Sequence, residues 1–186
     1  MLSPRFSKSR PPGNHDNTPW SFQCLGPEHI EFPAVGATET GKTSMTPEAG
    51  TYALVLFCSQ AERVRIGKLG PLRLRRGVYV YVGSARGPGG VRARVAHHQK
   101  LSPRPHWHID YLRPHTRLDR IWYSHGRRGS EHQWASVFRA LPGASIPMAG
   151  FGSSDCQCEA HLFFFRKRPS FREFANAITF RAWIRF

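Results

Sequence analysis

Two apolar runs constrain this chain more than any other feature. Residues 51–58 (TYALVLFC) are nearly continuous in apolar side chains, and residues 77–83 (GVYVYVG) follow the same habit. Both are short, bounded by turn residues and rich in β-branched and aromatic side chains, so both predict strands. The first barely alternates, which predicts a central strand covered on both faces. Leu162–Phe165 is a third strong β run. Residues 63–66 (RVRI) and 118–123 (LDRIWY) alternate as strands do, residues 67–71 read as a loop, and residues 72–75 can pair as one more short strand.

The helices announce themselves differently. After the loop 84–90 (SARGPGG), Val91 and Val95 recur four residues apart and Arg94 and His98 share a neighbouring face, so residues 91–100 predict a helix. Residues 106–112 (HWHIDYL) predict a short one. Ser130 is an N-cap for a helix over Glu131–Ala140, with Glu131 in its first turn. Ser170 opens a last amphipathic helix that packs Phe171, Phe174 and Ile178.

The chain has 186 residues and a formal net charge of +15, with a pI near 10.8. From residue 50 to 168 there are 20 Lys/Arg against 6 Asp/Glu, so the surplus belongs to the folded part. Such a balance favours a polyanion partner, nucleic acid before membrane surface. Arg73, Arg75 and Arg76, then Arg86, Arg92 and Lys100, are the candidate phosphate contacts. No run approaches the ~20 apolar residues of a membrane span, and the basic N-terminus lacks the apolar core of a secretory signal. Four cysteines are too few and too scattered for a disulfide scaffold, so the expected compartment is the cytoplasm. Oligomeric state is left open.

Residues 1–47 are rich in Pro, Ser, Thr, Gly and Asn and are expected to be a disordered leader. Within them, residues 36–43 (GATETGKT) fit the phosphate-loop pattern literally, but a proline precedes and another follows, and no buried strand leads in, so the match is expected to be a decoy. Cys156, Cys158 and His161 bring sulfur and nitrogen close together. With His106 or His108 they would make a zinc set, but at this unusual spacing a structural turn with buried cysteines is the favoured reading. In residues 106–108, Trp107 is expected in the core, with the histidines near a cleft and Asp110 orienting one of them.

Tyrosine, arginine and histidine on a strand–turn–helix frame suit phosphodiester chemistry. Tyr52 and Tyr81 each lie near a glycine, Gly50 and Gly83. Arg94 pairs bidentately with a phosphate, and His98, of a type that titrates near neutrality, moves protons. The tyrosines orient water, or act as base if Arg94 or a metal lowers their pKa. Gly83 lets the backbone approach substrate or simply begins the turn. For each residue a structural role stands beside the functional one: strand aromatics, a backbone-contacting arginine, a packed histidine.

The ordered set GTY (50–52), YVG (81–83), Arg94…His98 and a later helix opening on Glu131 resembles the GIY-YIG nuclease superfamily. The stretches YVYVGSARGPGG, HWHIDYL and GFGSSDCQC resemble a small stand-alone branch of it, sometimes fused to DNA-repair glycosylases. The resemblance spans about residues 49 to 168. It implies an α/β domain of the α+β type over 48–168, with a small central antiparallel sheet flanked by helices, and leaves 169–186 as a helical extension packed on it. It also implies an endonuclease that cuts with one divalent ion, Mg²⁺ or Mn²⁺, using Tyr52, Tyr81, Arg94, His98 and, as metal ligand, Glu131. Two features depart from the superfamily pattern: Thr51 replaces the middle isoleucine, and no counterpart of the asparagine that often follows the glutamate is visible. A non-catalytic nucleic-acid-binding module on the same fold is the alternative.

Overall fold

The computed structural model describes residues 36–39, 45–126 and 130–183, with the side chains of 45–126 and 130–179. Of the leader expected over 1–47, only 36–39 and 45–47 are among the described residues: 36–39 form a strand, β1 (Gly36–Glu39), and Met45 is buried in the apolar core. The first four residues of the phosphate-loop look-alike are therefore extended and ladder-paired, where a phosphate loop must curl its N–H groups around an anion.

The other elements follow in order: β2 (Gly50–Cys58), β3 (Glu62–Ile66), β4 (Gly70–Leu74), β5 (Gly77–Ala85), α1 (Gly90–Gln99), α2 (His108–Leu112), β6 (Arg117–His125), α3 (Glu131–Ala140), β7 (Leu162–Phe165) and α4 (Phe171–Trp183). Strands β1-β6-β2-β5-β7 form one antiparallel sheet in that order, and β3–β4 form a separate hairpin. The domain is thus mixed α+β around a central antiparallel sheet, as the sequence resemblance implies, and both apolar runs are strands of it. Among the described residues no helix is long and apolar enough to cross a membrane.

The poor alternation of residues 51–58 has the expected cause. Tyr52, Leu54 and Leu56 join Tyr79, Tyr81, Val91, Val95, Ile109 and Leu112 in one apolar cluster; Ala53 and Val55 join Val80, Trp122, Trp134, Phe138, Phe163 and Phe174 in a second. Successive side chains of a strand point to opposite faces, so both faces of β2 are buried and neither can be polar. The first face carries α1, α2 and the hairpin; the second carries α3 and α4.

Helix ends match their sequence signals. The Ser130 side chain accepts from the Gln133 N–H at 3.3 Å, and the Gln133 side chain accepts from the Ser130 N–H at 3.1 Å, a closed capping box that fixes where α3 begins. α4 is tied in by Phe174, whose ring stacks on Phe138 at 4.4 Å between centroids and meets Trp134 at 4.8 Å.

Candidate active site

The β2/β5 register puts the two tyrosines on one face. Tyr52 lies opposite Gly83 and Leu54 opposite Tyr81, so the tyrosines are diagonal neighbours on adjacent strands, their ring centroids 6.5 Å apart. Gly83 has a specific job here. A Cβ at that position would meet the Tyr52 hydroxyl at 2.5 Å, so the glycine makes room for the tyrosine ring to lie across β5. It does not begin the turn, since β5 continues to Ala85. Gly50 is held as tightly: a Cβ there would run into the Ser124 carbonyl and Val91.

Helix α1 turns His98 into the sheet. His98 is 2% exposed, and its Nε2 is 2.8 Å from the Tyr52 hydroxyl. Its Nδ1 faces the Asp110 carboxylate at 3.8 Å and has no hydrogen-bond partner among the described groups. The same Asp110 oxygen is 3.6 Å from His97 Nε2, while its other oxygen accepts the His106 and Trp107 backbone N–H groups at 3.0 Å each. Asp110 thus orients His98, not His106 or His108. His108 Nδ1 instead accepts the Gly152 N–H at 3.0 Å.

Arg94, one turn before His98, is half-buried with its guanidinium 4.5 Å above the Trp107 ring. Trp107 is 37% exposed and edges against His97 and His98, so it is the floor of the site and not part of the core, contrary to the sequence expectation. A cation over an indole face is held there by the ring quadrupole. Glu131 stands half-buried in the first turn of α3 and makes no ion pair with any described residue. Glu62, Asp110, Asp119 and Glu159, by contrast, all face basic partners. The charges of Arg94 and Glu131 both bear on the Tyr52 and Tyr81 hydroxyls.

The electrostatics differ from the sequence expectation. Burial pushes Tyr52 well above its ordinary pKa, with the Tyr81 phenol adding to the rise and Arg94 opposing it. Burial likewise raises Tyr81, with Glu131 adding and Arg94 opposing. Neither is an easily formed phenolate. His98 does not titrate near neutrality: burial brings it down to about 4, against the pull of Asp110. At pH 7 it is a neutral imidazole, its Nε2 hydrogen-bonded to the Tyr52 hydroxyl.

A stability consequence follows. The unfolded histidine takes up its proton near pH 6.5, the buried one only near 4. Between those values the unfolded state binds more protons, so stability is full above pH 6.5 and falls as pH drops towards 4. The loss is on the order of 3 kcal/mol, with burial of His108 and His161 adding in the same direction. Urea melts at pH 7.5 and 5 should show it, and His98→Gln should flatten the dependence. An equally steep fall in that variant would remove His98 as its source.

All six candidate phosphate contacts are exposed: Arg86 follows β5, Arg92 lies early on α1 and Lys100 just past its end, while Arg73 lies on β4 and Arg75 and Arg76 in the turn before β5. Arg75 is also engaged, its guanidinium 4.0 Å over the Phe164 ring.

A family model described as a domain of unknown function, DUF123, matches residues 51–182, from β2 through α4. The chain belongs to the DUF123 family. The match takes in every candidate site residue except Gly50, and it includes α4 with the Phe174 anchor. No curated protein and no solved structure matches the chain. The DUF123 domain therefore has to be read from its own residues. Among these, sequence reasoning gave Asp110 to the wrong histidines and sent Trp107 to the core. An acid three residues into a short helix is a visible signal for a cap, but not for the histidine it also faces.

Proposed function

We propose that this DUF123 protein is a metal-dependent nuclease of the GIY-YIG type that hydrolyses phosphodiester bonds in DNA, repair or recombination intermediates included. The observation that carries the reading is the convergence of Tyr52, Tyr81, Arg94, His98 and Glu131: one histidine bonded to one tyrosine, and both tyrosine hydroxyls within the fields of the same arginine and the same glutamate.

Glu131 is the carboxylate that fits a divalent ion: like Asp155 it has no ion pair with a described residue, but its charge bears on both tyrosine hydroxyls, that of Asp155 on Tyr81 alone, and Mg²⁺ commonly takes only one or two protein carboxylates. Mg²⁺ or Mn²⁺ bound there supplies charge neutralisation at the phosphoryl oxygens. Arg94 grips the same phosphate with two parallel N–H donors and stabilises the charge that develops on it. A water held against the Tyr52 hydroxyl attacks the phosphorus as the scissile P–O ester bond breaks, and the leaving oxygen takes its proton from solvent. Because a free phenolate at Tyr52 is costly, its proton passes to His98 Nε2 as it accepts one from the water. Asp110 then faces a protonated imidazole, whose charge it favours. Tyr81 lines the same pocket edge-on to His98, 6.3 Å between centroids, and helps orient the water.

A second reading, a nucleic-acid-binding module that does not cut, is favoured by the burial of Tyr52 and its hydroxyl's bond to His98. Incubation with single-stranded, duplex and branched DNA and with RNA, in Mg²⁺ or Mn²⁺, separates the two. The nuclease reading expects metal-dependent cleavage of at least one DNA that is abolished by EDTA. Salt-sensitive binding without cleavage of any substrate would leave the binding module.

A further inference from the structure

On the far side of Glu131 stands a second cluster that the proposed chemistry does not use. His132 follows Glu131 on α3. Cys156, Cys158 and His161 come from the irregular segment that leads into β7. One ligand atom from each of the four lies within 4.8 Å of every other. Cys156 Sγ is 3.5 Å from His161 Nε2, and Cys158 Sγ is 3.4 Å from His132 Nδ1. With Zn–S at ~2.3 Å and Zn–N at ~2.05 Å, the S···N edge of a tetrahedral Cys₂His₂ site is about 3.5 Å. Both cysteines are free thiols, and both are half-buried, not fully buried as the sequence suggested.

The surroundings are built for the same purpose. His161 is 1% exposed, held within the core beside the half-buried cysteines. Gly150 and Gly152 have φ of 77° and 75°, a left-handed conformation that turns the segment back on itself. The return is pinned by Gly150 N–H to the Glu159 carbonyl at 2.7 Å and His161 N–H to the Phe151 carbonyl at 2.8 Å.

We infer that His132, Cys156, Cys158 and His161 bind one structural Zn²⁺. Two thiolates and two imidazoles select zinc over Mg²⁺, and four protein ligands close the coordination sphere, as structural sites do and catalytic ones do not. The ion fastens an otherwise irregular segment to the first turn of α3, one residue from Glu131. That it thereby fixes the glutamate rests on the nuclease reading; that the site binds zinc does not.

The test is zinc content and ligand-field spectroscopy of the full chain, purified without chelators. The expected result is about one zinc per chain. Co²⁺ added to the stripped protein should give a thiolate-to-cobalt charge-transfer band and the intense visible bands of tetrahedral coordination. Cys158→Ser and His132→Ala should each weaken zinc binding at least about tenfold. A wild type that carries under about 0.1 zinc per chain and shows no tetrahedral Co²⁺ spectrum overturns the assignment. So does a Cys158→Ser variant that binds zinc as tightly as the wild type, since the ion then sits elsewhere. If the variants do not fold, the wild-type Co²⁺ spectrum decides alone: no sulfur charge-transfer band, no site. DNA cleavage enters none of these readouts, so the zinc site and the nuclease can fail separately.

Discussion

Glu131→Gln is expected to lower Mg²⁺-dependent cleavage by about 10²–10³-fold or more, with the domain still folded. The substitution keeps the side chain's size and removes only its charge. At the first position of α3 that charge also favours the helix dipole, so stability should fall by roughly 0.3–1 kcal/mol, too little to unfold the domain. Arg94→Ala is the companion. It removes the phosphate fork and the cation above Trp107, and should cost a similar factor in cleavage. Arg94→Lys should recover little, because a point charge cannot reproduce two parallel donors. Single-turnover cleavage, with circular dichroism as the check on folding, measures all three. If both Glu131→Gln and Arg94→Ala cut as fast as the wild type, the chemistry lies elsewhere and the nuclease proposal is lost.

Phe174→Ala should destabilise the domain by about 3–5 kcal/mol. Its ring is fully buried and stacks on Phe138, with Trp122 at 5.2 Å and Trp134 at 4.8 Å, so truncation leaves an aromatic-walled cavity that a helix and a sheet cannot close. The melting temperature should drop by about 10 °C, at ~2–4 °C per kcal/mol for a chain of this size. This result does not depend on any function. A change of less than about 2 °C would mean that α4 is dispensable to the core.

The central strands were legible because they are buried on both sides. Residues 51–58 had no polar alternation to confuse, and residues 162–165 match β7 to the residue. The start of α3 was legible because Ser130 carries a local cap. What escaped was whatever long-range contact decides. β1 is small and polar, and only its pairing with β6 makes it a strand. His98 was visible four residues after Arg94, but its burial, and so its low affinity for protons, depends on how α1 lies on β2. His132 stands 24 positions before Cys156 and 29 before His161, so no ligand spacing could join them. Gly83 looked like part of a turn because its reason is a ring from the neighbouring strand.

The alternation of β2 between two clusters also limits how this domain can change. Even-numbered side chains from 52 to 56 belong to the site's face, and 53 and 55 to the aromatic face. One residue inserted after Gly50 would swing Tyr52 away from His98 and push leucines into the space that small residues fill beside Trp134. A relative with a longer or shorter β2 should therefore differ by two residues, not one, unless a bulge like that between Val55 and Leu56 absorbs the odd step. The strand's length is quantised in pairs, and any aligned sequence that breaks the parity without a bulge should also have lost its tyrosine.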